Sequence, residues 1–238
     1  MTPEIEYICT EYYEVPAHIS NYTKGRKQNI KYIVVHYTAN DGDTARNNGN
    51  YFAQANKNAS AHYFVDENNI VQSVKDSDTA WHCGAKSYKH PKCRNDNSIG
   101  IEMCSEKDEN GQYYINQATQ NRAVNLIKVL IKQYNISIEN VLRHYDVTGK
   151  ICPEPFVRNQ VQWLDFKAKL TQQSEGKKEM LYNYMDENMP EWAKPTIQKL
   201  IDKGALKGNE KGELMLTDVM LRIFVANDRI GIYDRPPK

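Results

Sequence analysis

The segment LRHYDVTGKICPEP, residues 142–155, brings an imidazole (His144), an ammonium (Lys150) and a thiol (Cys152) into one short stretch of chain. Imidazole and thiolate are the ligands zinc prefers, so a metal site is the first chemistry this stretch suggests. Two ligands do not make a site. A hydrolytic zinc centre takes three protein ligands and keeps a fourth position open for water, and His36, at the end of the apolar run KYIVVHYT, completes the natural trio of His36, His144 and Cys152. A structural zinc site would instead close its sphere with a fourth ligand; Cys104 or His82 would have to serve, and neither sits at a metal-motif spacing. Taken singly, each of the three has an ordinary explanation as a surface or packing residue. Their conjunction is what points to metal chemistry.

Such a trio needs strand ends and a loop to converge. KYIVVHYT is short, apolar and rich in β-branched and aromatic residues, the pattern of a strand buried on both faces. AHYFVD and IVQSVK, separated by the turn-forming ENN, predict a β-hairpin. SIGIEMCS alternates as a further strand, with Ile99, Ile101 and Met103 on one side and Gly100, Glu102 and Cys104 on the other. QATQNRAVNLIKVLIKQYNI is the clearest helix, Ala123, Ile127, Leu130, Ile131 and Tyr134 recurring at helical spacing. TARNNGNYFAQANK reads as a weaker amphipathic helix, VLRHYDV as a short strand or strand end, and FVRNQVQWLDFKAKL, after Pro153 and Pro155, as a closing helix. The expectation is an α/β domain over residues 1–172, a mixed central β-sheet covered by helices. A polar linker at 173–180 precedes a small helical module at 181–238, whose two helical patterns stop at Gly204 and Gly231. So small a helix pair should dock on the main domain, on a copy of itself or on a target.

Composition narrows the function classes. With 31 basic and 30 acidic side chains the net charge is +1, which gives no field to attract nucleic acid or an anionic membrane. The opening MTPEIEYICTEYYEV has two early glutamates and no apolar run, so no secretory signal is expected and the chain is read as cytoplasmic when made; no later run approaches membrane-spanning length. Five cysteines do not form a disulfide framework in a chain of this size, and they are read as reduced thiols, with Cys83 and Cys93 the one pairing left open.

VVHYT, SAHYFVDENN, DTAWHCG, SIGIEMC and RHYDVTGKICPEPF, in that order and spacing, resemble the zinc-dependent N-acetylmuramoyl-L-alanine amidases of the phage-lysin and peptidoglycan-recognition superfamily, over roughly residues 28–170. The resemblance implies Zn2+ on His36, His144 and Cys152, with Glu102 and Lys150 in the two catalytic positions. Non-enzymatic recognition proteins of the superfamily typically lack the cysteine ligand, so Cys152 argues for catalysis. Some relatives carry a tyrosine where this chain has Ala61, with Tyr63 two residues on, which leaves Glu102 as the favoured base.

The implied reaction is hydrolysis of the amide joining N-acetylmuramic acid to the stem peptide of bacterial peptidoglycan, by a lysin reaching the wall after release. Trp81 and His82 in AWHCG suit a sugar or peptide stem, and His62 in SAHYF is expected to line or support the cleft. Asp146 is a candidate to orient His144, with a local turn contact the equal alternative, while His18 and His90 are read as surface residues. The competing reading is a module that recognises muropeptide without cutting it. The C-terminal helices weakly resemble short wall-associated modules, and a homodimer through their exposed apolar face is the alternative.

Overall fold

In the computed structural model, residues 12–171 and 181–234 are described. The chain divides into two compact units, Met1–Gln172 and Gln173–Lys238. The stretch expected as a linker, 173–180, lies outside the described residues, as do residues 1–11 with Cys9 among them.

The first unit is built on a six-stranded mixed sheet. Its strands are β1 (Tyr12–Glu14), β3 (Tyr32–Tyr37), β4 (Tyr63–Val65), β5 (Ile70–Gln72), β7 (Ser98–Met103) and β10 (Val141–Arg143), in the order β1-β5-β4-β7-β3-β10. Only the β4–β5 hairpin is antiparallel; every other pairing is parallel. Two small ribbons complete the strands: β2 (Tyr22–Thr23) with β6 (Thr79–Ala80), and β8 (Glu106–Lys107) with β9 (Tyr113–Tyr114).

Strand alternation splits the sheet into an apolar face and a chemical one. Ile33, Val35, Tyr63, Val65, Ile99, Ile101 and Met103 point to one side and are buried. They pack against Ala123, Ile127 and Leu130 of α2 (Gln117–Tyr134) and against Trp163 and Phe166 of α5 (Gln160–Thr171). On the opposite side, cross-strand register sets His36 beside Glu102 and Glu102 beside Phe64. The neighbouring row joins Val34 to Gly100, with the His62 amide bonded to the Gly100 carbonyl at 3.0 Å. Helix α1 (Ala45–Phe52) is capped by Thr44, whose side chain accepts from the Asn47 amide.

Two elements depart from expectation. The closing helix breaks in two at Asn159, giving α4 (Glu154–Arg158) and α5, and VLRHYDV ends its strand at Arg143 to begin α3 (His144–Thr148). The β1 strand pairs with β5 far along the chain, a non-local partnership that three residues of YYE do not announce.

The second unit has its own core of Tyr182, Met189, Ala193, Ile197, Leu200, Leu216, Leu221 and Val225, formed between α6 (Lys194–Asp202) and α7 (Asp218–Arg229). Asp228 ties these helices together by accepting from Thr196 Oγ1 and Lys199 Nζ, both at 2.7 Å. None of the described helices is long and apolar enough to cross a membrane.

Candidate functional site

Three elements deliver the trio. His36 is near the end of β3, His144 opens α3 directly after β10, and Cys152 follows the turn made by Gly149 at φ +85°. All three side chains are buried, and one ligand atom from each lies within 4.8 Å of the others. His36 Nδ1 faces Cys152 Sγ at 3.7 Å and Glu102 Oε1 at 3.9 Å, while His36 Nε2 is turned away to His82 Nδ1 at 3.0 Å. The Nδ1 of His144 is buried without a hydrogen-bond partner, and so is Glu102 Oε2. Buried polar atoms are rarely left so, which marks both as atoms waiting for a ligand or substrate.

Burial sets the charge states. It holds His36 well below the usual imidazole range, with His144 and His82 adding to the shift, and brings His144 down to about 3 with help from Lys150. Both rings are therefore neutral and keep a lone pair. Burial pushes the Cys152 thiol up to about 12, with Glu102 adding to the rise. It also lifts Glu102 to about 8 against the opposing ammonium of Lys150.

Above this floor lies a cavity of about 240 Å³ whose lining includes His36, Glu102, His144, Lys150 and Cys152. A wider cleft of about 670 Å³ shares Trp81, His82, His144 and Lys150 with it and is bordered by the loop residues Gly84 to Ser87. Trp81 thus stands at the junction, its Nε1 donating to Thr23 Oγ1 at 2.9 Å, and Lys150 is exposed at the mouth of both spaces.

Several sequence expectations change here. His62 does not line either space: it is fully buried, its Nδ1 accepts from the Gly100 amide at 2.9 Å, and Arg26 Nη2 lies 2.6 Å from its Nε2. His82 borders the cleft, but both of its ring nitrogens are engaged inside the protein, with His36 and with Ser98 Oγ at 3.1 Å. Of the two readings of Asp146 the local turn contact holds: its carboxylate accepts from the backbone and guanidinium of Arg143, closing the first turn of α3, and does not orient His144. The Tyr63 hydroxyl donates to Asp76 at 2.8 Å within the opposite, apolar side. Cys83, Cys93, Cys104 and Cys152 are all free thiols. Cys104 sits apart, beside Asn48 at 3.7 Å and Phe64. His18 is exposed, as expected, and the Nδ1 of half-buried His90 folds its loop by accepting from the amides of Lys92 and Cys93.

Three neutral buried imidazoles make the metal-free fold acid-sensitive. Below about pH 6.5 the unfolded chain protonates His36, His62 and His144 while the folded chain does not, so stability falls as pH falls. Glu102 and Asp76, raised by burial, act in the opposite sense and are outnumbered. In the presence of a chelator, lowering the pH from 7 to 5 should cost on the order of 1 kcal/mol per pH unit, read as a falling urea midpoint. A midpoint that rises on acidification would show that these rings take up protons in the fold.

With this geometry in view, the comparisons with known proteins agree on one group. The family described as N-acetylmuramoyl-L-alanine amidase matches residues 26–155. The chain is 38% identical over 151 residues to the N-acetylmuramoyl-L-alanine amidase CwlL of Bacillus licheniformis, covering 59% of this chain and 41% of that protein. It is 31% identical over 211 residues to the N-acetylmuramoyl-L-alanine amidase BlyA of Bacillus subtilis (strain 168), covering 82% of this chain and 54% of that one. A solved mutant endolysin from Bacillus subtilis superposes with a TM-score of 0.56 at 31% identity, covering 67% of this chain and 98% of that structure. The chain therefore spans about half the length of the curated relatives it matches.

Proposed function

This chain belongs to the N-acetylmuramoyl-L-alanine amidase family, and we propose that it is an endolysin-type peptidoglycan hydrolase cutting the amide between N-acetylmuramic acid and the L-alanine of the stem peptide. The observation that carries this reading is the buried His36–His144–Cys152 cluster at the floor of an open cavity that also holds Glu102 and Lys150. The donor set fits zinc: two neutral imidazoles and a sulfur, with His144 Nδ1 buried and without a hydrogen-bond partner. Among the described residues no fourth ligand joins the cluster, since His82 is engaged and Cys104 sits apart. That favours a centre with an open position over a closed structural one. When bound, zinc would lower the pKa of a water in that position and polarise the scissile carbonyl.

The chain's own groups supply the rest. Glu102, held beside His36 by the β3–β7 register, accepts the proton of the attacking water and returns it to the alanine nitrogen as the C–N bond breaks. That role needs the carboxylate form, which a bound dication would favour over the protonated form of the metal-free fold. Its partnerless Oε2 is the atom available for that exchange. The Lys150 ammonium, exposed at the cavity mouth, stabilises the charge that develops on the carbonyl oxygen. Trp81 offers its ring to the sugar or peptide at the cleft junction. Digestion of purified peptidoglycan tests the whole reading, with new alanine N-termini and no new reducing sugars expected. New reducing ends would mean a glycosidase and sink the assignment; wall binding without cleavage would make the chain a recognition module.

For the second unit we propose attachment to the wall. Two observations support it: the similarity to BlyA covers more of this chain than the first unit contains, and Trp192, Val219 and Ile223 are exposed on the second. Deleting residues 176–238 should weaken binding to intact walls roughly 10-fold or more through lost avidity, while small muropeptides are cut at an unchanged rate. Equal loss on both substrates would refute that division, and a change of oligomeric state without loss of wall binding would assign the exposed face to a homodimer.

A further inference from the structure

We infer that His82 is a positioning residue, which fixes the tautomer of His36 through a hydrogen-bond chain whose polarity is set by a backbone carbonyl. The inference rests on the reading of His36 as a zinc ligand. The chain has three links: His36 Nε2 to His82 Nδ1 at 3.0 Å, His82 Nε2 to Ser98 Oγ at 3.1 Å, and Ser98 Oγ to the Arg94 carbonyl at 2.7 Å.

The far end decides the direction. A carbonyl oxygen can only accept, so the Ser98 proton is committed to Arg94 and Ser98 must accept from His82 Nε2–H. Cys83 Sγ, at 4.0 Å from Ser98 Oγ, is a much longer alternative for that proton. A neutral His82 with hydrogen on Nε2 has a lone pair on Nδ1, and His36 must then donate its Nε2–H. The lone pair of His36 is left on Nδ1, the nitrogen that faces Cys152 Sγ and Glu102. With His82 neutral, reversing any link sets two hydrogens or two lone pairs against each other among buried atoms, which leaves a polar group unsatisfied. Metal-bound imidazoles ordinarily have their tautomer fixed by such a partner.

The fold makes room for this chain at one residue. Gly100 lies in the strand row beside that of His36 and Glu102, and a Cβ there would stand 2.5 Å from His82 Cγ and 2.7 Å from His82 Nδ1. Only glycine lets the imidazole lie on the sheet face between the rings of His36 and His62, whose centroids are 5.2 and 5.7 Å away. Asn95 Oδ1 fixes the backbone beneath it by accepting from the amides of His82 and Cys83.

Two measurements on the full chain test this. Ring 15N–1H correlation spectra of the metal-free protein should show His36 as the Nε2–H tautomer in the wild type and as a mixture in Ser98→Ala. Competition of the zinc ion against a chromophoric chelator should show affinity roughly 10- to 100-fold weaker in His82→Phe. Most of that loss should be recovered in His82→Asn, whose amide oxygen can stand where Nδ1 accepts. An Nδ1–H tautomer of His36 in the wild type, or wild-type zinc affinity in a folded His82→Phe protein, would overturn the proposal. Should His82→Phe not fold, the wild-type and Ser98→Ala spectra decide alone. Failure of the zinc-site reading is seen separately, as undiminished zinc binding by His36→Ala.

Discussion

Replacing Cys152 by serine should abolish wall digestion and zinc binding together, with amide cleavage falling by on the order of 10³-fold or more, the share of rate that an activated water and a polarised carbonyl supply. Cys152 is 3% exposed, and burial pushes the free thiol up to about 12, so zinc would have to displace its proton to bind. The resulting thiolate would be the one anion in the proposed ligand trio, the imidazoles being neutral. A serine hydroxyl fits the same space but does not ionise there, leaving two neutral nitrogens to hold a buried dication. Because the exchange of sulfur for oxygen is nearly isosteric, the thermal midpoint of the metal-free protein should hardly change. Zinc content, melting and digestion measured on one preparation separate the outcomes. Full zinc content with lost activity would remove Cys152 from the ligand set. Retained activity would remove the zinc mechanism altogether, and retained wall binding in the inactive variant would show that recognition does not need the metal.

The parts of the fold nearest the chemistry were legible because they are local patterns. KYIVVHYT and SIGIEMCS form β3 and β7, and alternation along the second already sets Glu102 against the side taken by Ile101 and Met103. What sequence alone could not see was tertiary. The loop carrying Trp81 and His82 lies across the sheet over Gly100, and that crossing buries His62 and turns His82 from the cleft toward His36. The cue was the glycine of SIGIE, but its meaning depends on knowing which loop passes above it. Asp146 stayed open between two readings for a different reason: two residues from His144 it looks like a partner, and only the start of α3 at His144 shows that its carboxylate caps the first turn instead. The pairing of β1 with β5 leaves no signal in three residues, because it is made by distant chain.

Glu102→Gln should part what the cysteine substitution loses together, keeping zinc while lowering the turnover of muropeptide roughly 10²- to 10⁴-fold. Glutamine keeps the size and hydrogen-bonding reach of the side chain but cannot take a proton from water or return one to the amine. Stability should move the other way. The carboxyl is lifted to about 8 by burial, so between pH 4.5 and that value the unfolded chain is ionised while the folded chain still holds the proton. Stability therefore falls as pH rises through this window, because only the unfolded chain gains by ionising, and removing the titrating group removes that loss. A glutamine variant with a thermal midpoint equal to or above the wild type, full zinc content and little turnover would identify Glu102 as a group held in an unfavourable setting for the sake of the reaction. A variant that melts lower and loses zinc in proportion to activity would show instead that the carboxylate builds the site, and the proton transfer would have to be assigned elsewhere.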